Sequence, residues 1–215
     1  MQLATQVNYS LKPEEKEVLD AIEKQLGKTI ERITADPEQE TSISNLWKIP
    51  RVSPDLEFPT YKFPCHYIAL NGRIILLSLF NLGLSEIPYE ISNLKNLTYL
   101  SLKSNNITQL PKTISKLKSL ENLILDNNQF TKVPDSIIEL PRLQNLYMKN
   151  NKISKIPVAL TDAWHTRLGD PSYQKSWNIP DYLIFSGNPI EHNSLSKEQE
   201  HSTIRPIRPF NPELC

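Results

Sequence analysis

From Ile74 to Leu160 the apolar residues recur in one phrase of fixed length. In the stretch 97–119 they stand at Leu97, Leu100, Leu102, Ile107, Leu110, Ile114 and Leu117, with an asparagine at Asn105. The next phrase repeats every position: Leu120, Leu123, Leu125, Asn128, Phe130, Val133, Ile137 and Leu140. The one after it reads Leu143, Leu146, Met148, Asn151, Ile153, Ile156 and Leu160. Pro88, Pro111, Pro134 and Pro157 close the apolar phrase at intervals of 23 residues. A period of this length marks a solenoid, in which each unit buries its apolar face only against its neighbours.

Within a unit the pattern changes period. Around Leu100 and Leu102 it is two, the period of a strand that turns alternate side chains to opposite faces. After the proline it becomes three, as in Pro111, Ile114 and Leu117, which suits a short helical turn. The asparagine falls where the chain leaves the strand, and its amide can satisfy backbone groups the turn would leave buried and unpaired. The pattern therefore predicts an α/β solenoid: an arc with parallel strands on the concave wall and short helical turns on the convex side. Strands are expected near 75–80, 98–103, 121–126, 144–149 and 182–186. An earlier phrase from Ile74 through Leu77, Leu79, Leu84, Ile87, Ile91 and Leu94 has Leu82 where the others have asparagine, so an imperfect ladder is expected at that end. The last phrase, Leu183, Phe185, Asn188 and Ile190, is displaced by about fourteen residues, with an insertion at 161–179.

These residues resemble the leucine-rich repeat family, with its motif L-x-x-L-x-L-x-x-N-x-L, over roughly residues 74–190. The repeats are similar to the intracellular type with an x-x-[IVL]-P phrase, and the N-terminal layout is similar to that of archaeal members. The resemblance implies a non-enzymatic protein-interaction module that binds a protein partner through the concave strands, as a signalling scaffold or regulator. A small GTPase or a signalling enzyme is the partner class it suggests. The alternative it raises is the substrate-recognition portion of a ligase-type bacterial effector. In that case the catalytic part would have to lie outside these residues, because Cys215 ends the chain.

A terminal repeat would expose its leucines, so both ends need covers. Residues 10–27 read as an amphipathic helix with Ser10 as N-cap, Pro13 in the first turn, Leu11, Val18, Leu19, Ile22 and Leu26 on one face, and Gly27 as the stop. Residues 34–64 read as an irregular packed loop held by Leu46, Trp47, Leu56, Phe58, Tyr61 and Phe63. Asn71-Gly72, between two apolar alternations, predicts a β-hairpin, one arm of which lies beside the first repeat strand and blunts its edge. The division expected is an N-terminal cap and loop at 1–64, repeats at 65–190 and a C-terminal tail or cap at 191–215.

Composition narrows the chemistry. The chain has 215 residues, 39% of them hydrophobic, enough for one continuous core. Its formal charge is zero, which removes any general electrostatic attraction to nucleic acid. No apolar run approaches a membrane span and no signal peptide is visible, so no membrane partner is expected. Two cysteines, Cys65 and Cys215, favour a reducing compartment, and the expected location is cytoplasmic. His66, His165, His192 and His201 are scattered without metal-ligand spacing, so neither a metal nor a cofactor is expected. His165 with Asp162 or Asp170 lacks a nucleophile and reads as a solvated loop histidine.

The candidate binding residues are those between the buried leucines, which a stacked sheet would align in columns about 4.8 Å apart. One column is Leu76, Tyr99, Asn122, Asn145 and Tyr182. The next is Ser78, Ser101, Ile124, Tyr147 and Ile184, and a third is Phe80, Lys103, Asp126, Lys149 and Ser186. Mixed aromatic and polar composition is typical of the centre of a protein interface. The insertion adds Trp164, Arg167, Tyr173 and Trp177, which either contact a partner or fold back as a cap. A monomer is expected.

Overall fold

The computed structural model describes residues 10–32, 65–160 and 182–190. The segment 34–64, the insertion 161–179 and the tail 191–215 fall outside the described residues, as do their expected packing roles.

Helix α1 (Pro13–Leu26) is followed by seven strands that form one sheet in chain order: β1 (Glu31–Arg32), β2 (Cys65–Leu70), β3 (Arg73–Leu79), β4 (Tyr99–Ser101), β5 (Asn122–Ile124), β6 (Asn145–Tyr147) and β7 (Tyr182–Ile184). From β3 to β7 every pairing is parallel, and consecutive repeats lie in register: Leu77, Leu100, Leu123, Leu146 and Leu183 are successive partners. The strands are shorter than the pattern predicts, yet the backbone ladder runs on beyond them. The Leu102, Leu125 and Met148 amides donate to Ile124, Tyr147 and Ile184, and the Ser104, Asn127 and Asn150 amides donate to Asp126, Lys149 and Ser186.

On the other side of the core each chain segment after its proline forms a single tight turn. Tyr89–Asn93 and Lys112–Lys116 are 3-10 turns and Asp135–Ile138 is one α-helical turn, α2. A proline precedes each at φ near −63°, a value its ring imposes and a helix start requires. Between turns and sheet lies one continuous core: Leu100, Leu123, Leu146, Ile114, Ile137 and Phe130 are among its fully buried members.

The asparagines bind the stack together, and they do so across repeats. Asn128 Nδ2 donates to the carbonyls of Leu125 in its own repeat and Leu102 in the one before, while its Oδ1 accepts from Ile107 N at 3.0 Å. Asn105, Asn151 and Asn188 repeat the arrangement. Each asparagine therefore serves the repeat preceding it. This corrects the expectation of an imperfect ladder at Leu82: the first repeat is served by Asn105, whose Oδ1 accepts from Leu82 N and Leu84 N.

The hairpin forms as expected, β2 and β3 pairing antiparallel around Asn71 (φ 50°) and Gly72 (φ 73°), and β3 is itself the first repeat strand. The short strand β1, which the pattern did not reveal, extends the edge further by pairing parallel with β2. Helix α1 departs from expectation at its start. It begins at Pro13, and Lys12, not Ser10, is the N-cap; the Lys12 amide donates to Gly72 O at 3.0 Å, so the hairpin turn takes up the N-cap residue's own amide. Val18, Leu19 and Ile22 are buried as the amphipathic pattern requires, and Gly27 ends the helix in the left-handed conformation.

Candidate functional site

The three columns exist on the face of the sheet turned away from the core. Leu76, Tyr99, Asn122, Asn145 and Tyr182 are successive register partners, and so are Ser78, Ser101, Ile124, Tyr147 and Ile184. The third column, Phe80, Lys103, Asp126, Lys149 and Ser186, follows from the continuing ladder. Antiparallel pairing adds His66 beside Ser78 and Ile68 beside Leu76.

Depth divides these residues into two sets. Leu76, Ser78, Ser101, Asp126, Asn145, Tyr147 and Ile184 are buried. Phe80, Tyr99, Lys103, Asn122, Ile124 and Lys149 are half-buried, and Ser186 is exposed. The part of the wall open to a partner is therefore centred on β4 and β5 with Lys149 at its margin. Tyr182 lies in β7, and Trp164, Arg167, Tyr173 and Trp177 lie outside the described residues. A contribution that one strand at a time does not display is the pairing between neighbouring strands within a column. Asn145 Nδ2 donates to Asn122 Oδ1 at 2.8 Å, and Asp126 Oδ1 accepts from Lys149 N at 2.7 Å.

The electrostatics follow from that depth. Burial raises the Tyr99 hydroxyl well above its usual range, with nearby Tyr147 and Asp126 adding to the shift, so the phenol stays neutral. Burial also raises the Asp126 carboxyl, and the Lys149 amide with the Lys149 and Lys103 ammonium groups acts in the opposite direction. Glu121, at the starting end of β5, is raised by burial and held partly in check by Arg142. The Ser78 hydroxyl is fully buried and makes no hydrogen bond. Tyr99, Lys103, Asn145, Tyr147 and His66 each engage a further contact.

Among the described residues His66 lies beside Ser78, but the Ser78 hydroxyl makes no hydrogen bond, so the two are not joined as base and nucleophile. Cys65, at the start of β2, is buried, and burial pushes its thiol up to about 11, the opposite of an activated thiolate. Among the described residues no group of three or more His, Cys, Asp or Glu side chains could hold a metal ion. No described helix is long and apolar enough to cross a membrane.

Comparison with known proteins agrees with the geometry. The family model for the leucine-rich repeat region matches residues 75–162. Among solved structures, the chain is similar to a leucine-rich repeat protein of Leptospira interrogans, with 34% identity over 55% of this chain and a TM-score of 0.46. It spans 27% of the length of that protein. It is also similar to the BIR2 ectodomain of Arabidopsis thaliana, with 27% identity over 60% of this chain and 76% of that one and a TM-score of 0.44. A third similar structure is internalin C2 of Listeria monocytogenes, with 21% identity over 54% of this chain and 42% of that one and a TM-score of 0.38. No curated protein matches. With its parallel strands in register, its shared asparagine ladder and the family match over the same residues, the chain carries a leucine-rich repeat region at residues 75–162.

Proposed function

We propose that this protein is a non-enzymatic scaffold or regulator that holds a protein partner against its concave wall. The observation that carries this reading is the open centre of the wall, where Tyr99, Asn122 and Ile124 stand half-buried side by side on β4 and β5. The core behind them makes the strands a rigid platform, so contacts made there cost little ordering of the backbone. Aromatic and apolar anchors ringed by polar groups are what an interface centre requires. A signalling enzyme such as a small GTPase is the partner class that the repeat type suggests, and the cytoplasm is the location that its few cysteines suggest. The chain is proposed to act as a monomer.

The test is affinity capture from the source organism's lysate with the native chain and with Ile124→Asp, a half-buried position where a charge does not enter the core. Retention of the same protein by the native chain and its loss by the variant, with circular dichroism unchanged, is the expected outcome. Equal retention by both places the contact elsewhere.

A further inference from the structure

The open part of the wall is unequal in its chemistry from one margin to the other. At the starting ends of the strands lies Glu121, whose charge is opposed by Arg142. At the finishing ends, among the described residues, stand two ammonium groups, Lys103 and Lys149, and one carboxylate, Asp126. That carboxylate is buried, accepts the Lys149 amide and is drawn on by both ammonium groups, which leaves one positive charge in excess at this margin. Between the margins Asn122 has its oxygen occupied by Asn145, and what it offers a partner is its pair of N–H donors. The accessible surface around Ile124 is thus rich in donors and positive at one side. Buried acceptors are poor targets for a partner's cation, since reaching them means desolvating both charges.

We propose that the wall selects an extended acidic segment, one in which an apolar side chain covers Ile124 and a carboxylate two residues along meets Lys149 beside Asp126. Resting on the concave-wall reading given above, it adds the chemistry and the orientation of the partner. Residues two apart on a strand lie about 6.6 to 6.8 Å apart on one face, the same spacing that separates Ile124 from Asp126 along the wall. The segment's acidic end lies over the finishing ends of the strands, on the side of Lys103 and Lys149.

The experiment uses two labelled synthetic peptides, one with a repeated Leu-Ser-Glu pattern and one with Leu-Ser-Lys, titrated against the full chain by fluorescence anisotropy. The acidic peptide is expected to bind at least about fivefold more tightly, and Lys149→Glu to remove most of that preference, as one solvent-accessible ion pair allows. Ile124→Asp is expected to weaken the acidic peptide whatever the charge at position 149. Equal binding of both peptides, tighter binding of the basic one, or no binding of either at millimolar concentration overturns the selection for acid. If a preference for acid persists but is insensitive to Ile124→Asp, the concave-wall reading itself fails, because the peptide is then held elsewhere.

Discussion

A single asparagine shows how much one side chain supports. Asn128 is 2% exposed and bonds to Leu102 O, Leu125 O, Asp126 O and Ile107 N, groups drawn from two repeats. Replacing it by alanine removes these partners while the backbone groups stay buried. We expect Asn128→Ala to cost about 2 to 4 kcal/mol in urea unfolding, since each orphaned buried group costs about 1 to 3 kcal/mol and some relaxation is available. A loss below that of an ordinary surface substitution would mean that the ladder is dispensable. Ser78 makes the opposite case, because its hydroxyl is buried without a bond. Ser78→Ala is expected to leave stability unchanged or raise it by up to about 1 kcal/mol, and a clear loss would reveal a partner for that hydroxyl. Both residues recur or align with the repeat, so their positions could be read along the chain. Their bonding could not: a serine in a strand pattern gives no sign of whether its oxygen is satisfied, and the asparagine's service to the preceding repeat becomes visible only when two repeats are stacked.

At the scale of elements the N-terminal cap is the instructive case. The apolar face of α1 was legible as Val18, Leu19 and Ile22, and the hairpin as Asn71-Gly72. What joins them was not, because the contact is polar and spans some 60 residues of chain. Arg73 reaches Glu14 at 2.7 Å and Glu15 at 3.3 Å, and the Glu15 carboxylate also accepts from Ile74 N at 2.5 Å while wholly buried. An amphipathic pattern places glutamates at the solvent face, and the buried one breaks that rule in order to take the Ile74 amide near the start of β3, the first repeat strand. Burial raises the Glu15 carboxyl above its ordinary value, with the Ile74 and Arg73 bonds pulling the other way. The folded state therefore favours the protonated form more than the unfolded chain does. As pH falls from above the folded value towards the ordinary carboxylate range, the native protein gains stability relative to Glu15→Gln. Parallel unfolding curves of the two proteins at neutral and acid pH check this, and a difference moving in the other direction would show that the ionised form is the favoured one.

The turn itself gives a sharper test of the same junction. A Cβ on Gly72 would come within 2.7 Å of the Ser10 backbone oxygen, and the position is left-handed. Gly72→Ala is expected to destabilise by roughly 1 to 3 kcal/mol, because both strain and the approach of α1 oppose it. Differential scanning calorimetry measures this, and an unchanged Tm would mean that the helix does not rest on the turn.

For the whole molecule, the repeat period was enough to place the core, the parallel order of the strands and the three columns, because identical units can bury their leucines only by stacking in register. The accessible part of the wall was less legible. Spacing assigns a residue to a face, but Tyr147 at 6% exposed and half-buried Ile124 stand as partners in one column and carry the same positional signature. Exposure depends on which neighbours the stacking and the rest of the chain bring to each position, and spacing along the sequence does not record them. The account rests on that wall being the contact surface. Lysine acetylation footprinting, with and without the captured partner, tests it most directly: Lys103 and Lys149 line the wall, while Lys112, Lys116 and Lys118 lie at or near the turn on the opposite side of the core. The prediction is that the partner shields the first pair and leaves the other three as reactive as before; shielding of the three with the pair unchanged would contradict it.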